Sequence, residues 1–121
     1  EKDTLGIVAD QVGTPTYARD LAKCILQIIE KVEKDCDFWK SGIYHYSNEG
    51  ACSWYDFTKE IHEICGINTC QVNPIETSDY PTPARRPHYS VLNKKKIKTA
   101  FEIEIPFWKD SLKECIKALS H

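Results

Sequence analysis

Methionine is missing from all 121 residues, and the chain opens on Glu1-Lys2-Asp3. A start of this kind is expected of a piece cut from a longer chain, more than of a processed small protein. No apolar run approaches the roughly 18 residues of a membrane-spanning helix. No basic segment followed by an apolar stretch marks a secretory leader, so a cytoplasmic location is expected. A strong charge of one sign is also lacking. Lys+Arg 16 against Asp+Glu 18 leaves −2, and no net field draws the chain to nucleic acid or an anionic membrane. Glycine is scarce at 5, and no G-x-G-x-x-G follows a strand-like run. No serine sits in a G-x-S-x-G setting. At 121 residues the chain is too short for a stand-alone dinucleotide-binding enzyme of the usual size. It is long enough for one folded domain, and 41% hydrophobic with 28% charged residues is an ordinary globular composition.

Cysteine is not scarce, but its arrangement excludes the obvious uses. The six residues are Cys24, Cys36, Cys52, Cys65, Cys70 and Cys115, and no C-x-x-C occurs among them. Cys24, Cys65 and Cys115 fall among apolar residues in helix-like segments. A chain with this much hydrophobic content needs no covalent staples, so reduced thiols are expected. Cys65, Cys70 and His62 lie close together, but their spacing matches no strong zinc pattern, and no metal is assigned.

What is present reads as alternating short strands and helices. Residues 5–9 form a β-compatible apolar run that ends in Asp10-Gln11-Val12-Gly13-Thr14-Pro15-Thr16. From 17 to about 34 the apolar residues recur in steps of three and four, which predicts an amphipathic helix capped by Thr14 or Thr16. Its wide apolar face suits packing on a sheet. Residues 42–46 read as a strand, 47–50 as a turn, and Ser53 with Asp56 as a capping pair for a helix that stops at Gly66. Val72 and Ile75 flank a short extended stretch. Asn93 is positioned to cap a helix over 94–100, residues 101–105 read as extended, and a last helix follows Pro106. The fold class is therefore α/β, with about four helices and three or four short strands.

Two polar elements stand out. Gly13, Pro15 and Thr16 lie in a stiff segment between a strand and a helix start, where open α/β sheets place ligands. Arg85 and Arg86 lie in a loop, residues 77–87, that also holds Pro81, Pro83 and Pro87. An arginine fork matches phosphate oxygens, and proline lowers the cost of ordering it. Lys94, Lys95, Lys96 and Lys98 read instead as the solvated face of a short helix, and His45 as a buried, hydrogen-bonded histidine.

These segments together resemble the C-terminal part of the dTDP-4-dehydrorhamnose reductase family, within the extended short-chain dehydrogenase/reductases. The resemblance rests on Asp10-Gln11-x-Gly13-x-Pro15-Thr16, on Gly42-Ile43-Tyr44-His45-Tyr46-Ser47-Asn48-Glu49-Gly50, and on Ser53-Trp54-Tyr55-Asp56-Phe57. It continues with Ala84-Arg85-Arg86-Pro87 and Trp108-x-x-Ser111-Leu112, in family order over nearly the whole chain. It implies the C-terminal fragment of a Rossmann-like NAD(P)-binding enzyme, residues 1–121 being its substrate-binding part without the N-terminal NADPH-binding half. The implied activity of the parent is NADPH-dependent reduction of dTDP-4-dehydro-L-rhamnose to dTDP-L-rhamnose. The implied substrate-binding residues are Gly13, Pro15, Thr16, Arg85 and Arg86, with Arg85 or Arg86 near the diphosphate. Tyr44 to Tyr46 would be a late strand of the parallel sheet, with Ser47 and Asn48 just beyond its end. Expected partners are a dTDP-sugar, the N-terminal half of the same polypeptide and, when intact, a second copy; nucleic acid and membrane are not. Some family members bind magnesium, but no glutamate here is assigned that role.

The departures are as informative. The glycine-rich loop is absent, and the one Tyr-x-x-x-Lys, Tyr55 with Lys59, lies inside a predicted helix and is read as chance. No catalytic residue is therefore assigned, and the isolated chain is expected to be inactive. Another extended short-chain epimerase or dehydratase, or a non-catalytic reductase-like subunit, are the alternatives.

Overall fold

The computed structural model describes residues 3–120; the Glu1-Lys2 start lies outside them. The elements run β1 (Thr4–Val8), β2 (Val12–Gly13), α1 (Ala18–Lys34), β3 (Cys52–Ser53), α2 (Trp54–Cys65), β4 (Gln71–Ile75), α3 (Lys95–Phe101) and α4 (Trp108–Leu119). Strands β1 and β4 pair in parallel, with Leu5 opposite Val72 and Ile7 opposite Pro74. A strand with a single partner tolerates a proline, because one edge needs no donor. The crossover between them carries α1 and α2, and α2 contacts both strands. Strands β2 and β3 form a two-residue antiparallel bridge.

Helix α2 follows its local code. Ser53 Oγ accepts from Asp56 N at 3.0 Å, and Asp56 Oδ2 accepts from Ser53 N at 3.0 Å. Gly66 ends the helix in the left-handed region, where Ile67 N donates to His62 O at 2.8 Å. Helix α3 begins one residue later than the pattern predicts, although Asn93 Oδ1 does accept from Lys95 N at 3.0 Å. It runs on through Phe101 and ends at Glu102, a left-handed non-glycine residue. Lys31 of α1 donates to Phe101 O at 2.7 Å and Glu102 O at 3.1 Å, so a cation satisfies the carbonyl end of α3.

The main core lies between α1 and α3. Cys24, Ile97, Phe101 and Ile103 are buried together, flanked by Ile28, Phe38, Tyr44, Tyr46 and Ile105. Burying a side chain the size of Phe101 stabilises by about 1.5–3 kcal/mol. Burial, followed by the charge of Asp20, pushes the Tyr46 hydroxyl up to about 12.

Several expectations are corrected here. Residues 42–46 and 101–105 form no strand ladder among the described residues. Tyr44, Tyr46, Phe101, Ile103 and Ile105 pack in the α1–α3 core instead, while Ile43 stays exposed. His45 is exposed while Tyr44 and Tyr46 are half-buried, so the alternation holds but the histidine points outward. Helix α1 packs on α3 and its neighbours, and α2 is the helix that covers the sheet. Cys65 lies exposed, as does Leu119, on the outer side of its helix.

Candidate functional site

The segment from Asp10 to Tyr17 leaves the C-terminal end of β1 and is held from two sides. On one side it meets both ends of the 77–87 loop. Asp10 carboxylate oxygens accept from Thr77 N at 2.9 and 3.0 Å, and Oδ1 accepts from Thr77 Oγ1 at 2.6 Å. Gln11 Nε2 adds a bond to Thr77 Oγ1 at 3.2 Å. These bonds, the Thr77 hydroxyl first, hold the Asp10 carboxyl below its ordinary value. At the far end of the loop, Val12 N donates to His88 O at 2.8 Å and Ser90 N donates to Val12 O at 2.8 Å. His88 Nδ1 lies 2.9 Å from Asp10 O.

This arrangement brings the two candidate elements together. The Arg85–Arg86 loop is a closed excursion whose start and finish are both tied to residues 10–13. A Cβ at Gly13 would lie 2.7 Å from Ser90 Oγ, so a side chain there would have to turn that exposed hydroxyl aside. Pro15 is half-buried, and Thr16 is exposed. Arg85 and Arg86 are exposed, and among the described residues neither makes an ion pair or a side-chain hydrogen bond. Both guanidinium groups are therefore open to an anion from solvent.

On its other side the segment is held by residues 48 and 50. Thr14 does not cap α1; its Oγ1 donates to Gly50 O at 2.5 Å. Nor does Thr16 cap it. The cap is supplied in space, by Asn48 Oδ1 accepting from Tyr17 N at 2.8 Å. The surface segment 10–17 is thus tied to the arginine loop at one end and to residues 48 and 50 at the other.

Three comparisons bear on what that surface is. The family model described as RmlD substrate binding domain matches residues 1–121. The chain belongs to the RmlD substrate binding domain family. A dTDP-4-dehydrorhamnose reductase of Aggregatibacter actinomycetemcomitans is 44% identical over 117 residues, covering 93% of this chain and 40% of that protein. The crystal structure of a dTDP-4-dehydrorhamnose reductase from Clostridium acetobutylicum superposes with a TM-score of 0.85 at 40% identity, covering 99% of this chain and 40% of that one. The reductase of Bacillus anthracis, solved in complex with NADP, gives 0.82 at 30% identity, covering 98% of this chain and 38% of that one. The chain thus spans about two fifths of the length of the relatives it matches.

In this RmlD substrate binding domain the residues just beyond Tyr46 turn inward. Ser47 and Asn48 are buried, Asn48 to 1% exposure. Asn48 Nδ2 donates to Asp20 Oδ2 at 2.8 Å, Ser111 Oγ at 2.9 Å and Pro106 O at 3.2 Å. Ser111 Oγ also donates to Asp20 Oδ2. Lys94, expected on a solvated face, has a side chain only 6% exposed. Its Nζ donates to Asn48 O at 3.1 Å and Ser47 Oγ at 3.2 Å. Glu49 supplies the countercharge, its Oε1 lying 3.9 Å from Lys94 Nζ and 2.6 Å from Lys98 Nζ. The latter contact is ionic, without an aligned hydrogen bond. A buried ammonium needs such partners. Nothing local marks Lys94 out from Lys95 and Lys96 except that it precedes Ile97 by three.

A hollow of about 1270 Å³ lies elsewhere in the domain, lined by Cys52, Asp56, Glu60, Phe107 and Lys109 among others. None of the five expected site residues borders it. Lys59 does, from α2, while Tyr55 does not. No group of three or more His, Cys, Asp or Glu among the described residues is placed to hold a metal ion. All six cysteines are free thiols. Among the described residues no helix is long and apolar enough to cross a membrane.

Proposed function

We propose that this chain is the part of a dTDP-4-dehydrorhamnose reductase that grips the dTDP-sugar. The observation that carries it is the tie between residues 10–13 and both ends of the 77–87 loop, which places Gly13, Pro15 and Thr16 on one body with Arg85 and Arg86. In this reading the arginines take the substrate diphosphate, and the Gly13–Thr16 arm enters the pocket beside it. The exposed guanidinium groups, unpaired among the described residues, and the family membership support it. Reduction of the 4-keto group of dTDP-4-dehydro-L-rhamnose to dTDP-L-rhamnose is the activity proposed for the whole enzyme.

The proposed cofactor is NADPH, held outside this chain. The C-terminal end of β1 does not fit a dinucleotide diphosphate. It presents an ionised Asp10 already bonded to Thr77, and no glycine-rich turn follows the strand. We assign the cofactor to the N-terminal remainder of the parent. That remainder would also cover the exposed apolar stripe of α1, where Ala18, Ala22, Ile25 and Ile29 recur at helical spacing, and the neighbouring Ile43.

Titration of the chain with dTDP, followed by its tyrosine and tryptophan fluorescence, tests the grip. Losing one charged hydrogen-bond donor from the diphosphate should weaken binding about ten-fold or more in Arg85→Ala or Arg86→Ala. Unchanged affinity in both variants would sink the proposal. The isolated chain should not oxidise NADPH in the presence of dTDP-4-dehydrorhamnose, and turnover would refute the placement of the cofactor.

A further inference from the structure

Asn48 is the most completely enclosed polar side chain described, and it is fully used. Its amide nitrogen shares its two hydrogens among Asp20, Ser111 and, at the longest distance, the Pro106 carbonyl, and its amide oxygen is left for one purpose, the Tyr17 N–H. That N–H is where the Gly13–Thr16 arm becomes helix α1. The amide cannot rotate about its axis without putting NH2 against Tyr17 N–H and oxygen against the Asp20 carboxylate. Asp20 and Ser111 therefore fix which way the Asn48 oxygen points, and through it where the arm ends. Two residues further on, Gly50 O takes the Thr14 hydroxyl, so the arm is pinned at both ends by the same turn. Lys94 holds that turn from behind, and Glu49 bonds it to α4 through Pro106 O and Trp108 N, each at 3.0 Å.

We propose that Asn48, oriented by Asp20 and Ser111, is the positioning residue for the Gly13–Thr16 arm of the nucleotide-sugar site. It touches no substrate. It acts by holding Pro15 and Thr16 at one distance from the arginine loop, so that a ligand spanning both meets a preformed site and does not have to order one. This rests on the functional reading above, and its test is built so that the two can fail separately.

The test uses the chain itself and the variants Ser111→Ala, Asp20→Ala, Asp20→Asn and Asn48→Ala, with Ile103→Val as a core substitution remote from the arm. Amide hydrogen exchange is measured residue by residue. Ser111→Ala and Asp20→Ala should speed exchange at Tyr17 and its neighbours at least ten-fold, while the β1–β4 pair keeps its wild-type protection. Asp20→Asn retains an acceptor oxygen in place and should fall between wild type and Asp20→Ala. Ile103→Val should leave residues 14–17 no faster than the rest of the chain. Exchange that rises uniformly, or that stays unchanged at 14–17, overturns the proposal whatever the ligand. In the dTDP titration, Ser111→Ala should weaken binding about five-fold or more, and Ile103→Val should not. Equal affinity in Ser111→Ala and wild type overturns the positioning role. If wild type itself fails to bind dTDP, the functional reading is refuted, and the exchange experiment still decides whether Asn48 positions the arm. Should Asn48→Ala not fold, the two Asp20 variants and Ser111→Ala carry both measurements.

Discussion

Replacing Gly50 by alanine should be among the most damaging single-methyl additions this chain can receive. Gly50 sits at φ +93, a backbone that L side chains rarely adopt. An added Cβ would also lie 2.8 Å from Trp108 Cδ1 and closer still to the Phe107 ring. Phe107 is partly exposed and has room to swing away, but Trp108 is 4% exposed and stacked on Phe57 with ring centres 6.0 Å apart. The left-handed backbone costs about 1–2 kcal/mol, and forcing a methyl into a packed contact costs about 1–3 kcal/mol. Stiffening the unfolded chain returns about 0.4–1 kcal/mol. The net loss is about 1–4.5 kcal/mol, and at about 4 °C per kcal/mol for a chain of this length the melting temperature should fall by roughly 4–18 °C. Gly66 provides the internal control. It also has a positive φ, +66, but nothing lies within 4 Å of its would-be Cβ. Gly66→Ala therefore carries the backbone cost alone and should lose only about 4 °C. Thermal unfolding of the two variants side by side by circular dichroism isolates the collision with Trp108. Equal losses would show that the turn yields freely and that the packing argument is wrong.

Two further outcomes follow from titratable groups. The Asp10 carboxyl is held below its ordinary value of 3.8 by Thr77, so its bonds stabilise the fold fully above that value and lose their effect as pH falls through the lowered one. Urea midpoints of wild type and Asp10→Asn should differ at neutral pH and converge in acid; a gap independent of pH would show that Asp10 gains nothing from its charge. Burial pushes the Cys52 thiol up to about 11, assisted by the Asp56 charge, and burial also raises Cys24. Both should resist an alkylating reagent at neutral pH while the exposed Cys36 and Cys65 react, which peptide mapping after a short pulse will read; early labelling of Cys24 would contradict the packed core.

Helix α2 was legible because everything that bounds it is local: Ser53 and Asp56 meet across three residues, and Gly66 needs only its own freedom to end the helix. The same holds for β1, whereas α3 starts one residue later than expected, with Lys94 and not Asn93 at its N-cap. The two candidate site elements were legible as residue types, since stiff polar turns and arginine beside proline announce themselves without a partner. Their union was not. It depends on Asp10 reaching Thr77, a contact between residues 67 apart in the chain. The sequence points to Thr14 or Thr16 as the cap of α1, and the structure differs for the same reason. Local rules supply a nearby hydroxyl, whereas the fold supplies Asn48 from 31 residues away.

Amino-acid order alone determined the α/β class, the helical segments, the two polar loops and the family. These follow from periodicity, capping and motifs that are complete within short windows. Only the tertiary structure decided that residues 42–46 pack without a ladder, that Lys94 is buried while Lys95 and Lys96 are not, and that Ser47 and Asn48 face inward. Each of those depends on which distant surface closes over a side chain. A hydrogen bond or a buried charge is settled by the partner found in space, and the identity of that partner is written in no single segment of the sequence.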